Sequence, residues 1–219
     1  MGGNVFTWKN LAAALLFMFL YIGLAVVVTL NFRPLYYYDM EHLHIPETSG
    51  YSEEMIRENY DILIDYNSMF YQGELQFNGL AMSESGRIHF QEVKDIFTGF
   101  QKMFLADLVI CAILFLYFMK RKSWGFLKLS GIITIVIPLV IGGLIAMNWE
   151  WCFVTFHHIA FDNDYWIFDY TTDPVINILP DTFFMHCAIM ILAIVLFCAV
   201  VSFVAGSVLQ QKRNNKTIG

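Results

Sequence analysis

The sequence predicts an all-α integral membrane protein: four transmembrane helices with a small, mainly helical extracellular cap. Three observations carry this prediction. Hydrophobic residues make up 58% of the chain and charged residues 15%, against about half and about a quarter in a soluble domain. Four apolar runs approach or exceed the roughly 20 residues with which a helix crosses the hydrocarbon core. The charges also segregate: all nineteen acidic residues fall between Asp39 and Asp181, whereas eight of the thirteen basic residues cluster where no acid stands.

The first run is Leu11 to Leu30, longer than a signal-peptide core and followed by no A-x-A site, so it is read as uncleaved. Asn31 to Gly50 reads as irregular, with Pro34, Pro46 and Gly50 as breakers, and its Tyr36-Tyr37-Tyr38 cluster suits an interface. Ser52 is the expected N-cap of a helix. Glu53 and Glu54 favour the positive end of that helix, and Met55, Ile56, Tyr60, Leu63 and Asn67 recur at helical spacing. Gly73 and Gly79 interrupt the next stretch. Ser85-Gly86 then opens a helix with His89, Val93, Ile96, Phe97 and Phe100 on one face, which runs into the second apolar run, Met103 to Met119. The third run is Leu127 to Met147, where Pro138 is expected to bend the helix and Gly142-Gly143 to permit close helix contact. Leu179-Pro180-Asp181 begins the fourth helix, with Pro180 near its first turn, and the apolar run is Phe183 to Leu209.

Lys9, Lys120, Arg121, Lys122, Lys128, Lys212, Arg213 and Lys216 lie on one side of this arrangement. Basic residues mark the cytoplasmic side, so both termini and the Lys120–Lys128 loop are expected inside. The chain divides into residues 1–30 (N-terminus and first span), 31–100 (extracellular cap), 101–147 (second and third spans), 148–182 (extracellular loop) and 183–219 (fourth span and C-terminus). The net charge is −6 and no basic stripe occurs, so nucleic acid is not an expected partner. Cys111 and Cys198 read as small core residues. Cys152 and Cys187 could meet near one surface, as a disulfide or as free thiols; free thiols are the favoured reading, and their spacing matches no metal motif.

The chemistry concentrates in Phe156-His157-His158-Ile159-Ala160-Phe161-Asp162-Asn163-Asp164-Tyr165-Trp166-Ile167-Phe168-Asp169, read as one short loop at a membrane surface. Ionisable groups at that depth point to binding or catalysis; an aromatic belt with solvated charges is the alternative. His89, taken alone, reads as a core histidine bonded to a neighbouring backbone group; but it is expected at the same height as His157, and two histidines at one depth suggest an acid–base pair. His158 should point elsewhere, His42 and His44 read as solvated, and His186, at the start of the fourth span, reads as a packing residue, with lining of the same pocket as the alternative. Asp162, Asp164 and Asp169 are candidates for orienting the histidines, or are solvated loop acids. Asp173-Pro174 fits a turn start. No H-x-x-x-H pair or Cys/His spacing supports a metal site, and no cofactor is expected.

His89-Phe90-Gln91-Glu92-Val93-Lys94, the run Phe156 to Asp173, and Leu179-Pro180 followed by Phe183-Phe184 together resemble the lipoprotein intramolecular transacylase family of Gram-positive bacteria. The resemblance covers essentially the whole chain. The family more often has aspartate where Glu92 stands, phenylalanine where Ala160 stands and proline where Tyr170 stands. The resemblance implies that His89 and His157 are catalytic. It also implies a substrate: a bacterial lipoprotein whose N-terminal cysteine carries a diacylglyceryl thioether. The implied reaction moves the sn-2 acyl chain to the cysteine's own α-amino group and leaves a lyso-form lipoprotein. Tyr60, Trp151, Phe156, Asp164 and Trp166 are the residues expected to orient that substrate, membrane lipids are further partners, and the plasma membrane is the expected location. A non-catalytic receptor for lipid or lipopeptide is the competing reading. A small transporter is disfavoured because no span carries a charge near its middle.

Overall fold

The computed structural model describes residues 6–218, which are helical or irregular with no strand among them. Met1–Val5 and Gly219, parts of the first and last predicted segments, lie outside the described residues, as does the side chain of Lys216. In chain order the helices are α1 (Trp8–Asn31), α2 (Arg33–His42), α3 (Ile45–Ser49), α4 (Glu53–Tyr66), α5 (Glu84–Lys120), α6 (Gly125–Thr134), α7 (Val136–Met147), α8 (Trp149–Ala160) and α9 (Asp181–Ile218), with a 3-10 turn at Pro174–Ile178 before the last. Four stretches are long and apolar enough to cross a membrane: Trp8–Asn31, Glu84–Lys120, Gly125–Met147 and Asp181–Asn215. The fold class is the expected one. Within α5 only the later part is apolar; Glu84, Arg87, Glu92, Lys94 and Asp95 keep its first turns outside the spanning segment.

Two packed units are formed. The first comprises the chain up to Val26, Lys102–Met147 and the chain from Ile189 onward. Large apolar side chains stay exposed along its helices, Ile113, Leu139 and Phe197 among them, as suits surfaces that face lipid rather than water. Phe17, Phe118, Phe126 and Leu127 form a small interior. Its third candidate span is interrupted at Ile135, between α6 and α7. The cause lies three residues on: Pro138 has no N–H for the Thr134 carbonyl, so the ladder breaks a turn before the proline.

The second unit comprises Val27–Gln101 and Asn148–Ala188. Ser52 caps α4 as expected, its Oγ accepting the Met55 N–H at 3.3 Å. Ile56, Asn59, Tyr60, Leu63 and Ile64 form the buried stripe of that helix, the spacing of one apolar face. Asn148 caps α8 in the same way through the Trp151 N–H at 2.9 Å.

Three expectations are corrected here. Asn31–Gly50 is not irregular. Pro34 and Pro46 each stand in the first turn of a helix, α2 and α3, and Gly50 closes α3 at φ 75°. Proline lacks the donor that a first turn leaves unused anyway, and glycine accepts the left-handed closing position, so the apparent breakers are a start and a stop. The tyrosine cluster is not an interface. Tyr36 is fully buried, donates to the Ile178 carbonyl at 2.7 Å and stacks on Tyr60 with centroids 3.7 Å apart; only Tyr38 is exposed. Finally, Phe156–Ala160 belong to the last turn of α8 and the loop begins at Phe161.

Candidate active site

The placement of His89 starts with the entry to α5. The Ser83 hydroxyl accepts the Gly86 N–H at 3.0 Å, and the buried carboxylate of Asp173 accepts the Ser83 N–H at 2.7 Å. A side chain at position 86 would collide with that carboxylate. Gly86 and Asp173 therefore pin the helix start to the segment before the 3-10 turn, and His89 follows three residues on. The local sequence marks Asp173 only as a turn residue.

His89 is 6% exposed and surrounded by rings: Phe161 at 4.7 Å, Phe168 at 5.4 Å, Phe90 at 5.9 Å and His157 at 6.3 Å between centroids. Its Nδ1 is buried with no hydrogen-bond partner among the described residues. Burial in this aromatic shell, and then the nearby His157, push the His89 pKa down to about 4. The ring is thus neutral at pH 7.

His157 sits in the last turn of α8. Its Nδ1 lies 2.7 Å from the Phe153 carbonyl oxygen. A carbonyl only accepts, so Nδ1 carries the hydrogen, and in the neutral ring Nε2 keeps its lone pair. Trp166 stacks on the ring at 4.6 Å and 29°, with Phe153 at 4.2 Å and Phe156 edge-on at 5.4 Å. Burial lowers the His157 pKa; the Phe153 carbonyl works against that shift and His158 adds to it. The indole Nε1 of Trp166 is a second buried polar atom without a partner among the described residues. The pair therefore consists of a neutral imidazole with a defined tautomer and a second neutral, enclosed imidazole, set among aromatic rings.

The other predicted residues fall in different places. Phe156 is exposed beside His157, and Trp151 is exposed on α8. Asp164 is exposed in the loop, where its backbone carbonyl accepts the Ile167 N–H. Tyr60 lies in the core, stacked on Tyr36 and edge-on to Phe183, with no surface to offer a ligand. No carboxylate orients either histidine among the described hydrogen bonds: a backbone carbonyl does so for His157, while Asp169 accepts the Thr171 N–H and hydroxyl in a local turn. His158 is exposed, edge-on to Trp166 at 5.5 Å, and His42 stacks on Tyr38. His186 holds both oxygens of the fully buried Asp39 at 2.9 Å, a pairing across 147 residues that no local pattern signals. All four cysteines are free. No group of three His, Cys, Asp or Glu side chains is placed to hold a metal among the described residues.

A family model described as the lipoprotein intramolecular transacylase Lit matches residues 11–184. The solved structure of the membrane-integral lipoprotein intramolecular transacylase Lit from Bacillus cereus is similar at 37% identity, with a TM-score of 0.91 over 94% of this chain and 96% of that one. Two structures of the same Bacillus cereus protein, one with a histidine replaced by arginine and one with it replaced by alanine, are 36% identical, with TM-scores of 0.85 and 0.84. They cover 95% and 94% of this chain and 93% and 94% of their own. Among curated protein sequences no match is found.

Proposed function

The chain belongs to the lipoprotein intramolecular transacylase family and is a multi-pass membrane acyltransferase acting on lipoproteins, and on that premise we propose that His157 and His89 move an acyl chain from glycerol oxygen to the cysteine α-amine. The observation that carries the assignment is the histidine pair, 6.3 Å between centroids, with the His157 Nδ1 committed to Phe153.

The substrate amine arrives mostly protonated, since an α-amine titrates near pH 8. His157 Nε2 takes its proton. The freed nitrogen attacks the carbonyl carbon of the sn-2 ester through a ring of roughly eight atoms, counted through the thioether. Such a ring closes reluctantly in water, so the pocket must hold the substrate folded; Trp166 and Phe156 flank the base and present flat faces for that purpose. His89 stays neutral and donates its N–H to the oxyanion, as a neutral imidazole can. When the intermediate collapses, the C–O bond breaks and the His157 proton passes to the glycerol oxygen; the attacking nitrogen, which still carries two hydrogens, gives one up to the freed His157 Nε2 and on to water, and the neutral amide remains. The reaction needs no cofactor, because the amide product is more stable than the ester. Trp151 and Asp164, exposed on α8 and its following loop, contact the incoming lipopeptide; Tyr60 contributes only through the core it builds. We infer that the Lys120–Lys128 loop and the termini lie in the cytoplasm and the histidines at the outer face; the basic residues around Lys120–Lys128 support this reading, because such residues favour the cytoplasmic side.

The test is fragmentation mass spectrometry of a diacylated lipopeptide before and after incubation with the purified protein. Total mass should stay constant while one acyl chain moves to nitrogen. A loss of the acyl chain to water, or an unchanged fragment pattern, would refute the reading.

A further inference from the structure

We propose that the carboxylate of Glu92 receives the α-ammonium group of the substrate and so selects lipopeptides with a free amine. The proposal rests on the transacylase reading above. Glu92 follows His89 by three residues on α5, a spacing that puts the two side chains on one face. Its Oε1 accepts the Asn163 Nδ2–H at 2.8 Å. The same asparagine's Oδ1 accepts the Tyr165 N–H at 3.0 Å. Only an oxygen can accept there, so the amide is fixed with its NH₂ toward the carboxylate. The second oxygen, Oε2, is shielded and meets no donor among the described residues.

A shielded carboxylate oxygen without a donor is costly, and the unit holds no spare cation for it. Its lysines and arginines are Arg33, Arg57, Arg87 and Lys94. Arg33 binds Asp61 and Asp65, Arg57 lies over the Tyr37 ring, Arg87 binds Glu84, and Lys94 lies over the Tyr66 and Tyr71 rings. The reaction itself brings one cation, the α-ammonium, with three donors. Docked on Glu92 Oε2, it keeps an N–H for His157. Proton transfer then breaks an N–H bond of the ammonium and forms one at Nε2, so the positive charge moves from the amine to the imidazole and the carboxylate stays balanced. An N-acylated cysteine has no charge to offer and is excluded.

The test uses the full chain in detergent and two unreactive lipopeptides with an ether in place of the sn-2 ester. One carries the free amine; the other has 3-mercaptopropionyl in place of cysteine and so lacks it. The wild type should bind the amine form about tenfold tighter or more, as a charge-assisted contact implies, and lose that preference as pH rises past the amine's value of about 8. Glu92→Gln should bind both at the affinity of the desamino form, and Glu92→Asp should recover part of the preference. A Gln variant that still favours the amine, or a wild type that favours neither, overturns the proposal. If Glu92→Gln does not fold, the wild-type preference and its partial retention in Glu92→Asp decide. Failure of the transacylase reading shows separately, as wild-type enzyme that makes no N-acyl product from the sn-2 ester while the binding preference stands.

Discussion

In the unit that contains most of α6, α7 and α9, the close approaches are made by the smallest residues; in the unit that holds the histidines, they are made by the largest. A side chain at Gly131 would meet the Ala199 carbonyl at 2.5 Å and Phe203 at 2.7 Å, and one at Gly206 would collide with Leu127 and Lys128. Hydroxyls tie the same helices together: Tyr21 donates to Ser202 at 2.8 Å, and Ser202 and Ser130 both donate to the Leu127 carbonyl. Against this stand the Tyr36–Tyr60 stack and the ring cage of His89 and His157. The difference follows from the solvent. Among lipid tails a large apolar side chain gains nothing by turning inward, so helices gain from backbone proximity and hydrogen bonds. Where water is the alternative, burying aromatic surface stabilises directly, and the resulting dry cage also shifts the histidines toward their neutral forms.

If the aromatic unit alone carries the chemistry, the largest effect should come from its histidines. His157→Ala should lower acyl-shift activity about 10²–10⁴-fold, the range for a positioned proton-transfer group. His89→Ala should be comparably impaired, and the double variant little worse than either single one. His158→Ala and His42→Ala should keep most activity. Rates normalised to folded protein in detergent decide this, and a nearly normal His157→Ala enzyme would break the comparison at its centre.

The next effect concerns the cage. The folded-state pKa of His89 is about 4, below the usual 6.5. The unfolded chain therefore binds a proton first, and stability should fall as pH drops from about 6.5 to about 4, by up to about 3 kcal/mol at 1.36 kcal/mol per unit. His89→Phe should flatten that part of the stability–pH curve; thermal unfolding at pH 7, 5.5 and 4.5 reads it. An equal slope in both proteins would mean that the cage does not hold His89 neutral.

In the first unit Gly131→Leu should destabilise by about 1–3 kcal/mol through overpacking against α9, seen as earlier unfolding in detergent. Unchanged unfolding would show that the small-residue contact is dispensable. Smallest of all should be Ser202→Ala, about 0.6 kcal/mol, the typical worth of an interhelical hydrogen bond in a membrane. A loss of several kcal/mol there would mean that polar contacts, rather than close backbone packing, hold this unit.

Much was legible in the chain because it depends on composition and short-range periodicity. The four apolar runs, the Ser52 cap, the helical stripe through Tyr60 and Leu63, and the presence of histidine in both motifs are all local properties. Other features were misread because one residue type serves opposite local ends. Proline starts a helix as readily as it ends one, and what decided Pro34 and Pro46 was whether α2 and α3 had a core to pack against. The local sequence around Tyr36 suits an interface, whereas in the fold Ile178 supplies a carbonyl for its hydroxyl. The pairings were beyond any local reading: Asn163 with Glu92 across 71 residues, Asp173 with Ser83 across 90, His186 with Asp39 across 147. The sequence by itself determined which segments are apolar enough to cross a membrane and which residues can exchange protons. Only the tertiary structure decided which nitrogen of His157 is free, which carboxylate oxygen of Glu92 is left without a donor and which tyrosine is core, because hydrogen bonding and desolvation depend on neighbours that the chain brings together only when it folds.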